Sequence, residues 1–147
     1  MMNKTEWDQM EFASYIYLAK IVQVIGVDKI KKVVYMESNN GEYKKVEIPL
    51  TRELLEEIEQ CFDEINLYSW ADMSCCYCAD GERWAFEFYK DDEKLFYKSG
   101  YTAYPHGYGK WLAWYSKLLS GVGITEISSC YKEKREGDID REIWEEK

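Results

Sequence analysis

A chain of 147 residues, 46% apolar, can close one hydrophobic core without a disulfide or a structural metal. Its net charge of −9 argues against phosphate-backbone partners and anionic membranes, whose affinity rests on Lys and Arg. No run approaches the roughly 18 consecutive apolar residues of a membrane-spanning helix.

The acidity is one-sided. Residues 1–50 carry seven basic and seven acidic side chains, and residues 51–147 carry twelve and twenty-one. That distribution permits a basic protein as partner. Met1 to Met10 includes Glu6 and Asp8 and lacks a basic-then-apolar leader pattern, so a cytoplasmic location is expected. Six Trp, thirteen Tyr and five Phe make the chain unusually aromatic, and Tyr in particular suits the core boundary with its hydroxyl in water. The five cysteines, Cys61, Cys75, Cys76, Cys78 and Cys130, are odd in number and crowded, which favours reduced thiols over a secreted disulfide framework. With His106 the sole imidazole, the set reads as small buried hydrophobes, and neither a metal nor another cofactor is expected.

In chain order, Thr5 with Asp8 three residues on resembles a helix cap, and a helix is expected from about residue 6 to 20. The run from Tyr15 to Val27 fits neither period well, although its β-branched residues lean towards strand. Lys29 to Glu37 and Glu42 to Ile48 flank Asn40-Gly41, a hairpin signal, and Pro49 ends the second strand. Thr51 caps the next helix, roughly 52–65, whose Leu54, Ile58, Cys61, Phe62 and Ile65 form one apolar stripe.

A three-strand meander is expected after it: Met73 to Cys78, Arg83 to Lys90, and Lys94 to Lys98, with turns at Asp80-Gly81 and Asp91-Asp92-Glu93. Trp84, Phe86 and Phe88 alternate with Ala85, Glu87 and Tyr89, the pattern of one buried face. Ser99 to Gly109 reads as a glycine-rich turn, with Pro105 in the first turn of a helix at about 106–119 that Gly121 terminates. A short apolar patch, Ile124 to Ile127, precedes a charged tail in which Ile139, Ile143 and Trp144 suggest one amphipathic turn. The order predicts a single α+β domain over residues 1–130 and a tail over 131–147. The domain is an antiparallel sheet of about five strands, a hairpin plus the meander, with two or three helices packed on one face.

Asp80-Gly81-x-x-Trp84 followed by Ser99-Gly100-x-x-Ala103-Tyr104-Pro105 and an amphipathic helix resembles uncharacterised small bacterial and phage proteins with the same two motifs. The resemblance covers roughly residues 51–119. It implies a fold for that stretch and attaches no activity or site residue to it.

No nucleophile elbow, phosphate-binding loop, zinc-helix or dinucleotide motif occurs in the chain, and His106 has no sequence-local partner for acid–base work. The expectation is a non-enzymatic acidic binding protein that masks or inhibits a basic partner, as an immunity protein or a phage or mobile-element anti-defence protein does. Its partner-binding acids would be Glu56, Glu57, Glu59, Asp63 and Glu64, which lie mostly off the apolar stripe of their helix. The alternative is a domain that binds or sequesters a small ligand (a nucleotide or sugar), or an unrecognised enzyme, built on the aromatic turn 99–109 with Tyr101, Tyr104 and His106. Of the aromatic residues in and around that turn, Trp84, Tyr108 and Trp111 read as core from their spacing, whereas the spacing leaves Tyr101 and Tyr104 unassigned.

Overall fold

The computed structural model describes residues 6–16, 21–39, 42–75, 82–101 and 103–124. Its first segment overturns the helix expected over residues 6–20, because Gln9–Ile16 is a β-strand, β1. Met10, Phe12 and Ser14 are buried, while Gln9, Glu11, Ala13 and Tyr15 stand half-buried on the other face, a two-residue period. Met, Glu and Ala favour helices by themselves. Here both edges of β1 are hydrogen-bonded to neighbours, and that pairing outweighs local preference. Of the ambiguous stretch, residues 17–20 lie outside the described residues and the rest is strand, with β2 (Ile21–Asp28) running antiparallel to β1 and Ile25 opposite Phe12.

β3 (Val33–Asn39) and β4 (Tyr43–Pro49) form the expected hairpin with Met36 opposite Val46, and its Asn40-Gly41 turn lies outside the described residues. The α1 helix (Arg52–Glu64) begins as read, with the Leu54 backbone N–H donating to Thr51 Oγ1 at 3.1 Å. It ends where Asn66 takes a left-handed φ of 56°, before a single 3-10 turn at Leu67–Ser69.

β5 is described over Met73–Cys75, and the rest of the strand expected to Cys78 falls outside the described residues, as does the Asp80-Gly81 turn. β6 (Glu82–Lys90) and β7 (Glu93–Tyr101) are joined at Asp91 and Asp92, whose φ values of 52° and 66° give the primed turn that a two-residue hairpin favours.

Among the described residues the sheet order is β4-β3-β2-β1-β6-β7-β5, seven strands where about five were expected. Six of them run antiparallel in succession, and β5 joins the β7 edge in parallel. The meander is thus corrected: β5 does not pair with β6. All eight residues of β1 take that edge, setting Phe12 opposite Phe86 and Met10 opposite Phe88 on the covered face.

Both helices pack on one face, as expected. From α1, Phe62 meets Phe88 and Phe86 at ring distances of 5.7 and 6.0 Å. α2 (Tyr108–Gly121) presents Tyr108, Trp111, Tyr115 and Leu119, and Trp111 lies 4.9 Å from Phe86 and 5.2 Å from Phe12.

Two details of α2 differ from the sequence reading. Pro105 precedes the helix, and Gly107 starts it at φ 98°, where a Cβ would stand 2.8 Å from Ile65. At the other end the terminating glycine is Gly123, φ 88°, while Gly121 is still helical. There Ile124 N–H donates to Leu119 O and Gly123 N–H to Ser120 O, the paired bonds of a Schellman cap, with Leu119 and Ile124 both buried.

Candidate binding surface

Because α1 turns Ile58, Cys61 and Phe62 to the sheet, with Leu54 and Leu55 half-buried beside them, most of its acids fall on the side away from the core. Glu56, Glu57, Asp63 and Glu64 are exposed, and Glu59 is half-buried. Two of the five are engaged within the fold. Glu59 pairs with Lys29 at 3.3 Å, and the same ammonium lies 3.8 Å over the Trp7 ring, so Glu59 is tied to the core margin. Glu64 pairs with Lys110 of α2 at 3.6 Å and accepts from Gln60 at 3.1 Å. Glu56, Glu57 and Asp63, with Glu53 in the first turn, make up the rest of a negative ridge. An apolar groove of about 300 Å³, lined by Leu54, Trp114, Leu118 and Val122, runs along one flank of this ridge beside Glu57.

The structure separates the three residues of the aromatic-turn alternative. Tyr104 is fully buried, its hydroxyl donating to Glu82 Oε1 at 2.8 Å. Tyr101 ends β7 on the opposite face of the sheet, where the Arg83 guanidinium sits 5.6 Å from its ring. His106 is exposed, and its backbone carbonyl accepts from Trp70 Nε1 at 3.1 Å. Trp84, Tyr108 and Trp111 are core, as their spacing indicated. More of the aromatic surplus is interior than the composition suggested: Trp7, Trp70, Tyr104 and Tyr115 are buried as well.

One polar feature was missed in the sequence. Where the helix-covered face reaches the end of β1 and the start of β6, Glu82 is fully buried and accepts from Ser14 Oγ as well as from Tyr104. The polar row continues across the sheet through Gln23, beside Ser14, whose amide donates to Ser38 Oγ at 3.2 Å. Burial, with the nearby Glu82 carboxylate as a lesser cause, pushes the Tyr108 and Tyr115 phenols well above their usual range. Glu82 shares the phase of Trp84, Phe86 and Phe88, which was the available signal that it points inward. Both hydroxyl donors reach Glu82 where it is closed to water, so its burial at this end of the sheet is matched by hydrogen bonds.

Of the cysteines, Cys61 is core, its thiol pushed up to about 11 by burial; Cys76, Cys78 and Cys130 lie outside the described residues. Among the described residues no cluster of His, Cys, Asp and Glu is placed to hold a metal ion, and no helix is long and apolar enough to cross a membrane. No protein-family model matches the chain, and no curated protein matches it in sequence.

Proposed function

We propose that this chain is a non-enzymatic binding protein that docks a basic protein partner on the acidic ridge of α1 and thereby masks or inhibits it, in the manner of an immunity or anti-defence protein. The observation that carries this reading is the exposure of Glu56, Glu57, Asp63 and Glu64 on one solvent-facing helix whose opposite side is anchored in the core. Charges in that position steer encounter at no cost to packing, and the field of an acidic surface selects partners of opposite sign. The apolar groove beside Glu57 supplies the desolvated contact area that a charged rim alone lacks.

The test uses the three acids of the set that make no ion pair among the described residues. Reversing Glu56, Glu57 and Asp63 to Lys adds two charge units at each position, moving the net charge from −9 to −3. Partners are recovered from the native host at low salt with wild-type protein, and association of the recovered partner is then timed. A basic protein should be retained by wild type, and its on-rate should fall by about tenfold or more in the triple variant. The gap should narrow as added salt shortens the screening length to about 8 Å and below. Tyr101→Ala is the control, because Tyr101 lies across the sheet from the ridge, whereas replacing the buried Tyr104 would disturb the core. Recovery of acidic partners only, or an on-rate unchanged by charge reversal, would overturn the reading.

A further inference from the structure

No described residue covers the face of the sheet turned away from α1 and α2, and its strands arrange that face in rows. Ala13, Ala85 and Ser99 stand side by side across β1, β6 and β7. Two residues along in one direction the row is Tyr15, Arg83 and Tyr101, and two residues along in the other it is Glu11, Glu87 and Tyr97. The small row therefore forms the floor of a trough between two taller rows, each about 6.6 Å away. A cavity of about 630 Å³ opens over it, bounded by Tyr15, Met73, Arg83 and Tyr101. Among the described residues four large apolar side chains are exposed, and three of them, Tyr43, Met73 and Tyr97, rise from this face. Apolar exposure concentrated on one face marks a docking surface.

We propose that this face is the interface of a homodimer, formed by a second copy stacking its own open face about a two-fold axis that runs along the Ala13–Ala85–Ser99 row. Such an axis keeps each strand over its counterpart and reverses its direction. Whatever lies two residues before Ala85 then meets what lies two residues after it in the second copy. Arg83 faces Glu87, Tyr101 faces Tyr97, and each contact occurs twice.

The alternative axis, along β6, would set Arg83 on Arg83 and Glu87 on Glu87, whereas on the first axis the charged self-contacts fall only at Glu37 and Lys45, which continue the row across β3 and β4 and pair with each other at 3.7 Å. The Ala13, Ala85 and Ser99 side chains are short enough for the sheets to approach to about 10 Å with strands aligned within about 30°. Glu87 is held ready, accepting from the Tyr89 hydroxyl and from Lys94 Nζ at 3.3 Å. The Arg83 guanidinium is steadied over the Tyr101 ring. Six antiparallel strands of seven to nine residues offer a face on the order of 600 Å² before side-chain relief, near the roughly 800 Å² per partner of a standard interface. The α1 ridge lies on the far side of the sheet, so this assembly stands or falls independently of the proposed basic partner.

The experiment is sedimentation velocity of the full chain over a wide concentration series, with the wild type and four variants. Wild type should show a concentration-dependent dimer. Arg83→Glu and Glu87→Arg should each weaken it by at least about tenfold, because each places two like-charge contacts across the axis. The double variant Arg83→Glu/Glu87→Arg restores opposite charges and should recover the dimer to within about threefold of wild type. Ala85→Arg, a long side chain set on the axis, should give monomer with an unchanged near-ultraviolet signature in dilute solution. A wild type that stays monomeric throughout, single reversals that leave dimerisation untouched, or a double variant as weak as the singles would each sink the proposal.

Discussion

Under α1 and α2 the sheet carries Phe12, Ile25, Met36, Trp84, Phe86 and Phe88, each at most 1% exposed. One residue along those same strands, on the opposite face, stand Glu11, Ala13, Tyr35, Glu37, Ala85 and Glu87, all partly open to solvent. The two faces share a backbone and differ in what holds their side chains. On the covered side, rings pack edge to face and stacked, as in Phe88 on Phe96 at 4.5 Å and Trp111 on Tyr115 at 5.6 Å. On the open side, hydroxyls bind carboxylates: Tyr35 donates to Glu11 at 2.6 Å, its ring lying over Gly26, where any Cβ would stand 1.9 Å from it. Stability is thereby concentrated on one face, and the other is left with the polar and aromatic variety that recognition uses.

That division can be broken at three depths. The largest effect is expected at the centre of the covered face. Phe86→Ala removes a ring in contact with Phe12, Phe62, Trp70 and Trp111, and denaturant unfolding should show a loss of about 3–5 kcal/mol. The same measurement on Tyr104→Phe probes the polar end of that face. It strips one donor from the buried Glu82 carboxylate and should cost about 1–3 kcal/mol; a neutral result would mean that Glu82 does not depend on that hydroxyl. On the open face Tyr43→Thr touches a side chain 60% exposed, whose hydroxyl reaches Glu37 only at 3.3 Å. Its thermal midpoint should match wild type within the shift expected for about 0.5 kcal/mol, and a core-sized loss would show that the open face also holds the fold together.

Legibility followed how local the signal was. The hairpin Val33–Pro49 was readable because Asn-Gly lies between two β-rich runs, and α1 because its cap and stripe agree. β6 was readable from its alternation, although the same parity had one more consequence, the burial of Glu82, that carboxylate polarity concealed. The solvent-facing set on α1 was legible for the same reason as the helix, since Glu56, Glu57, Asp63 and Glu64 lie off the apolar stripe and point outward. Its ion pairs were not: Lys29 and Lys110 come to Glu59 and Glu64 from other elements. Tyr104 was undecidable beside Tyr101, because a segment containing glycine and proline has no period to assign a side.

Sequence by itself determined the elements whose period, cap and turn lie within a dozen or so neighbouring residues: the hairpin, α1, β6 and α2, together with the acidic character of the outer helix surface. Tertiary structure decided what depends on distant partners. Gln9–Ile16 is a strand because β2 and β6 hydrogen-bond both its edges, some seventy residues apart in the chain for the latter. β5 lies at the β7 edge because β1 occupies the edge of β6, and Tyr104 is interior, where its hydroxyl donates to Glu82. Local propensity differences amount to tenths of a kcal/mol per residue, whereas a paired, buried strand is held by a full ladder of hydrogen bonds and several apolar side chains at once. Where the two conflict, as in β1, the long-range term wins.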